Sequence, residues 1–145
     1  MNLWNKRALA AAVGAVAGAT ASLFMISSPA LADYQCPQKQ VCFYQDKNRQ
    51  GSPATLADLA QGGAGVRYFD QHKFHNGVNL NDQASSVHNN TNQWLRVYEH
   101  TAYNSGRSQL VAPGGWANFT GDELKNDTAS SAQFVPEPCG QPWDC

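Results

Sequence analysis

The six-residue word Asn81-Asp82-Gln83-Ala84-Ser85-Ser86 returns forty-five residues later as Asn126-Asp127-Thr128-Ala129-Ser130-Ser131, with five of six positions identical. Each copy offers a carboxylate, two hydroxyls and turn carbonyls, and neither carries a thiol or an imidazole. Such a set of hard oxygens suits calcium. Calcium takes roughly six to eight oxygens, more than one hexapeptide supplies, so two copies set side by side would both have to contribute to each site. The same residues also serve structure, because Asn and Asp close side-chain turns and paired serines cap a bend or start a strand.

The elements around each word repeat as well. The first half contains Phe43-Tyr44-Gln45-Asp46-Lys47-Asn48-Arg49-Gln50-Gly51-Ser52, with Tyr44 seven residues before Gly51; the second places Tyr98 eight residues before Gly106, with Tyr103 between them. An aromatic on the first strand can cover a tight hairpin whose glycine adopts a backbone conformation closed to other residues. Both halves therefore read aromatic, polar turn, glycine, then the repeated word. That order indicates a duplicated Greek-key unit within one domain.

Short β-rich runs and turn signals dominate, and long helical periodicity is absent. In Trp94-Leu95-Arg96-Val97-Tyr98 the residues Leu95 and Val97 point to one side and Trp94, Arg96 and Tyr98 to the other. One short helix is expected, capped by Ser52, with Pro53 in its first turn, Leu56, Leu59 and Ala60 on one face and Gly62-Gly63 as its stop. The predicted fold is an all-β sandwich of two Greek keys with about eight strands.

Lys6 and Arg7 precede an apolar run from Ala8 to Met25, and Ala30-Leu31-Ala32 offers a small-x-small cleavage pattern. Residues 1–32 therefore read as a signal peptide rather than a membrane span, and residues 33–145 as a single released domain. Repeat one covers about 41–91, repeat two about 95–135, and the tail 136–145. The mature part holds eight basic and eleven acidic residues, a net charge of −3, with no basic patch for nucleic acid or an anionic membrane. A secreted, extracellular monomer is expected.

All four cysteines, Cys36, Cys42, Cys139 and Cys145, lie in that mature part. Export and an even count point to disulfides; of three connectivities, closeness in the chain favours Cys36–Cys42 and Cys139–Cys145. Zinc is the weaker reading because the spacing exceeds that of usual ligand pairs. The histidines His72, His75, His88 and His100 are scattered, and neither a His-Glu-x-x-His helix nor a Gly-x-Ser-x-Gly elbow occurs. No enzymatic activity is expected. Asn89, Asn118 and Asn126 match the glycosylation pattern, relevant only in a host with that machinery.

Paired hairpins followed by paired Asn-Asp-x-x-Ser-Ser words resemble the βγ-crystallin domain, over about residues 41–135. The departures are Arg49, which stands where the first hairpin would carry its inner aromatic, and one extra residue before Gly106. The resemblance implies that Asp82 and Ser130 serve one calcium ion and Asp127 and Ser85 another, with the carbonyls of Gln83 and Thr128. The residue after the hairpin tyrosine contributes too, and it is Glu99 in one half but Gln45 in the other, so unequal sites are implied.

The export signal, the opening "CPQKQVCFY" and the bridge "NNTNQWLRVYEH" narrow the likeness to secreted bacterial peptidase inhibitors of crystallin-like fold. That family is associated with metallopeptidases of the thermolysin type, so a secreted peptidase is the implied partner. Inhibition requires only a rigid exposed loop held in the bound conformation. The candidate loop is the insertion at 67–77, expected to expose Tyr68, Phe69 and Phe74, with a core-forming segment as the competing reading; the cysteine-closed tail with Trp143 is a lesser candidate. The alternative function is a calcium-binding structural or envelope-associated module without inhibitory activity.

Overall fold

The computed structural model describes residues 34–138. Seven strands form among them: β1 (Gln40–Asp46), β2 (Gln50–Thr55), β3 (Ser86–Asn90), β4 (Trp94–Tyr98), β5 (Ser108–Val111), β6 (Trp116–Asn118) and β7 (Ser131–Val135). They assemble into two antiparallel sheets, ordered β2-β1-β3-β6 and β5-β4-β7. In each repeat the first two strands form a hairpin and the last returns beside the first, so β3 pairs with β1 and β7 with β4. Between them, repeat two sends β6 across to β3. Repeat one reciprocates through Val66, which bridges to Ala132 of β7. This bridge occupies the position of the expected eighth strand, reduced to a single residue pair.

The alternation in β4 falls as its sequence requires, with Leu95 and Val97 fully buried and Trp94, Arg96 and Tyr98 partly exposed. They join Val41, Phe43, Leu59, Phe69, Leu80, Val87, Phe119 and Leu124 in one core between the sheets. The unbroken apolar run in β1 has a different cause. Val41 and Phe43 face that core, while Cys42 and Tyr44 are buried on the opposite face beneath Cys36 and Tyr34. A disulfide between Cys36 and Cys42 ties this N-terminal segment down. Tyr44 Oη also donates to the Tyr34 carbonyl at 3.1 Å. Cys139, Cys145 and Trp143 lie outside the described residues, as does the segment read as a signal peptide.

Three expectations are corrected. Ser52 and Pro53 do not open a helix: they lie on β2, where Pro53 pairs with Tyr44, and only a single 3-10 turn forms at Ala57–Leu59. Pairing with β1 overrides the local capping signal, and Pro53 is tolerated because β2 is an edge strand. Phe69 and Phe74 are not exposed but buried, at 0% and 2%, and Phe69 meets Phe43 edge to face at 4.9 Å. Asn89 is no glycan acceptor in the folded chain, since it is fully buried and its amide donates to the carbonyls of Gln93, Val111 and Ala112.

Candidate functional site

Each hairpin turns through a short 3-10 segment, Lys47–Arg49 or Thr101–Tyr103, whose last two residues adopt left-handed backbone angles (φ 58° and 61° at Asn48 and Arg49, 58° and 60° at Ala102 and Tyr103). Left-handed residues other than glycine are costly unless held by their surroundings. The second serine of each repeated word supplies the hold. The amides of Arg49 and Tyr103 donate to Ser86 Oγ and Ser131 Oγ at 3.1 and 3.2 Å. Those hydroxyls donate onward to the carbonyls of Asp46 and His100 at 2.7 and 2.6 Å. Both hydroxyls are thus committed to locking the turns, the bend-capping role that paired serines also offered in the sequence, here exercised on a distant hairpin rather than on a neighbouring bend.

The first serines act differently. Ser85 and Ser130 are fixed by amides donating to the carbonyls of Tyr44 and Tyr98, each at 2.9 Å. Their side chains cross between repeats: Ser130 Oγ donates to Asp82 Oδ1 at 3.1 Å, and Ser85 Oγ to Asp127 Oδ1 at 3.3 Å. Asp82 and Asp127 both sit at φ 55°, with amides bonded to the carbonyls of Ala129 and Ala84. The neighbouring Asn81 and Asn126 amides hold the other carboxylate oxygen at 2.7 and 2.6 Å. The two Asp–Ser combinations implied by the resemblance are therefore brought together, each aspartate meeting the other repeat's serine.

Around the Asp82–Ser130 combination the surface opens into a shallow pocket of about 700 Å³ lined by Asn81, Asp82, Glu99, His100, Thr101, Thr128 and Ser130, and by Asp127 of the other pair. The donor set is carboxylate, hydroxyl and carbonyl oxygen, which fits a hard cation. Among the described residues no three His, Cys, Asp or Glu side chains converge, so a zinc-type ligand set is not assembled there.

The second combination differs in two ways. Gln45, the counterpart of Glu99, is uncharged, and its Oε1 accepts from the Asn76 amide at 2.8 Å. Asp46 and Lys47 stand where the other hairpin has His100 and Thr101, so the charges carried by the two hairpins differ. Gln83, whose carbonyl was implied as a ligand, is exposed.

Arg49 has a compensating partner. Its guanidinium lies 5.3 Å from the Trp116 ring, while in the other half Arg67 lies 5.3 Å from the Tyr103 ring. One hairpin supplies the cation and the other supplies the ring. His88, paired with Trp116 across β3 and β6, has its imidazole pKa lowered by burial and secondarily by the Arg49 charge. Burial raises the Tyr103 phenol, opposed by Arg67.

Tyr68, unlike Phe69 and Phe74, is exposed, at 41%. The other large apolar side chains on the surface of the described residues are Val78 and Trp116.

The model of peptidase inhibitor family I36 matches residues 30–111. No curated protein matches the chain. Among solved structures, one reported under "Evolution of the eye lens beta-gamma-crystallin domain fold" is similar at 22% identity and TM-score 0.55, covering 72% of this chain and 94% of that one. A βγ-crystallin from Ciona intestinalis is similar at 21% identity and TM-score 0.50, covering 66% of this chain and 99% of that one. These likenesses concern the fold, which is a βγ-crystallin-type pair of Greek keys.

Proposed function

The chain belongs to peptidase inhibitor family I36 and is a non-enzymatic inhibitor with a peptidase partner, and we propose that it is a secreted monomer that blocks an extracellular metallopeptidase and is braced by calcium. The observation that carries the inhibitor reading is the family match over residues 30–111, which takes in β1 to β5 and the long insertion of repeat one. Secretion is supported by the Cys36–Cys42 disulfide, which persists in oxidising compartments, and by the leader-like residues 1–32. The metallopeptidase class rests on the resemblance of the opening Cys-x5-Cys and its hairpin to thermolysin-type inhibitors.

Calcium is supported by the crossed Asp82–Ser130 and Asp127–Ser85 pairs. Asp82 and Ser130, with the Thr128 carbonyl and Glu99, would hold one ion; Asp127 and Ser85, with the Gln83 carbonyl, would hold a weaker one. Bound calcium would supply charge neutralisation between the repeats and hold their turns rigid. The protein's own residues do the rest, since a preorganised surface loses little conformational freedom on docking.

The test is residual activity of secreted peptidases, thermolysin-like zinc enzymes beside serine types, titrated with oxidised residues 33–145 at fixed calcium. Stoichiometric loss confined to the zinc enzymes is expected. Loss confined to serine peptidases would overturn the target class, and no loss anywhere would favour the second reading, a calcium-binding structural module. That reading has one observation in its favour: the crossed pairs link two parts of the same chain and require no partner.

A further inference from the structure

Repeat two shows how few residues the fold needs between its second strand and its clamp word. From the end of β5 to Asn126 there are fourteen (112–125), whereas from the end of β2 to Asn81 there are twenty-five (56–80). Part of the excess packs inward, since Phe69, Phe74 and Leu80 are fully or almost fully buried. The longest run exposed at every position is His75-Asn76-Gly77-Val78-Asn79, held at both ends by the buried Phe74 and Leu80.

This stretch is closely tied. Lys73 bridges Asn79 across its base, and the amides of Phe74 and Gly77 donate to the carbonyls of Val78 and Phe74 at 2.9 Å each. The His75 amide donates to the Pro53 carbonyl at 2.9 Å and the Asn76 amide to Ser52 Oγ at 3.0 Å, fastening the tip to β2. The Asn76 side chain receives the Val78 amide at 3.2 Å and donates to Gln45 at 2.8 Å, and Asn79 Nδ2 donates to the Asp70 carbonyl at 2.8 Å. Gly77 turns the tip at φ 87° with open space beyond it. Val78, 37% exposed among polar neighbours, is the tip's apolar side chain.

We propose that this 75–79 tip is the segment that enters the peptidase cleft, with Val78 filling an apolar subsite and the exposed backbone at Gly77 lying along the cleft. The inference rests on the inhibitor reading above. It differs from the sequence expectation in its residues: Phe69 and Phe74 are the foundations of the loop, and Val78 is its contact. A β-branched side chain on a tip already fixed by its own hydrogen bonds gives up little rotamer or backbone freedom when it docks. Open space lies within 4 Å of the position a Cβ would take on Gly77, so the tip itself can be approached closely.

The test compares inhibition constants of the oxidised full domain and its Val78→Asp, Val78→Ala, Val78→Ile and Trp116→Ala variants against whichever peptidase the wild type inhibits, with melting temperatures measured in parallel. Val78→Asp is expected to weaken inhibition by about a hundredfold or more. Val78→Ala should cost about tenfold, Val78→Ile should retain inhibition, and Trp116→Ala should leave it unchanged, all with melting temperatures close to wild type. Wild-type inhibition that survives Val78→Asp, or that is lost in Trp116→Ala instead, would overturn the tip assignment while leaving the inhibitor reading intact. If the wild type inhibits no peptidase, the inhibitor reading fails and the tip assignment falls with it.

Discussion

Ser130 Oγ, from the second repeat, donates to Asp82 Oδ1, in the first, at 3.1 Å. Its mirror, Ser85 to Asp127, repeats the contact at 3.3 Å. The duplicated word is thus an exchange between repeats, and this exchange gathers the oxygens that the calcium reading requires.

If calcium binds through these pairs, saturating ion raises the melting temperature of the wild type. At a hundred times the dissociation constant the gain is about 2.7 kcal/mol, several degrees for a domain of this size. Asp82→Ala with Asp127→Ala should abolish the rise. Of the single variants, Asp82→Ala should lose more, because Glu99 lines its pocket while the uncharged Gln45 takes that place in the other hairpin. Equal calcium shifts in wild type and double variant, read by calorimetry, would refute the assignment.

The Cys36–Cys42 bridge closes a short loop with a sequence separation of 6 and anchors the segment that covers Cys42 and Tyr44. In the chain-entropy picture a loop this small contributes about 2 kcal/mol. Cys36→Ser with Cys42→Ser should therefore lower the urea midpoint measurably. An unchanged midpoint would mean that the N-terminal segment is held by packing alone.

Phe69 separates the core reading of the insertion from the exposed-loop reading. Phe69→Ala removes a fully buried ring that meets Phe43, and should cost about 3 to 5 kcal/mol. Denaturant unfolding reads this directly. A loss below about 1 kcal/mol would match an exposed side chain and contradict the packing.

His88 gives a pH dependence with a defined sign. Its folded-state pKa is lowered below the ordinary 6.5 by burial and Arg49. The unfolded chain therefore binds the proton more readily, and His88 lowers stability as pH falls from above 6.5 through its folded value. Melting temperatures taken from pH 7.5 down to 5 should decline, and less steeply in His88→Gln. Parallel profiles for the two proteins would assign the decline to other groups.

Much of this was legible in the sequence because it depends on local signals that are repeated. The aromatic-to-glycine hairpins, the alternation of Leu95 and Val97 and the close cysteine pair each follow from a few neighbouring residues. The helix expected from Ser52 failed because Pro53 also satisfies an edge strand, and pairing with Tyr44 decided between them. Phe69 and Phe74 were misplaced because the long connection between β2 and β3 of repeat one carries no periodicity, so burial there depends on the facing sheet. Arg49 was recognised as a departure in its hairpin; that Trp116 would receive it depends on β6 crossing between sheets, a long-range pairing with no local trace.

The central claim is that a surface of this domain occupies a metallopeptidase cleft. The most direct measurement is inhibition of a thermolysin-type zinc peptidase by oxidised residues 33–145, repeated at increasing concentrations of a small active-site inhibitor. Mutually exclusive binding is expected, with the apparent inhibition constant rising in proportion to the small inhibitor. Absence of inhibition, or an inhibition constant unmoved by an occupied active site, would contradict it.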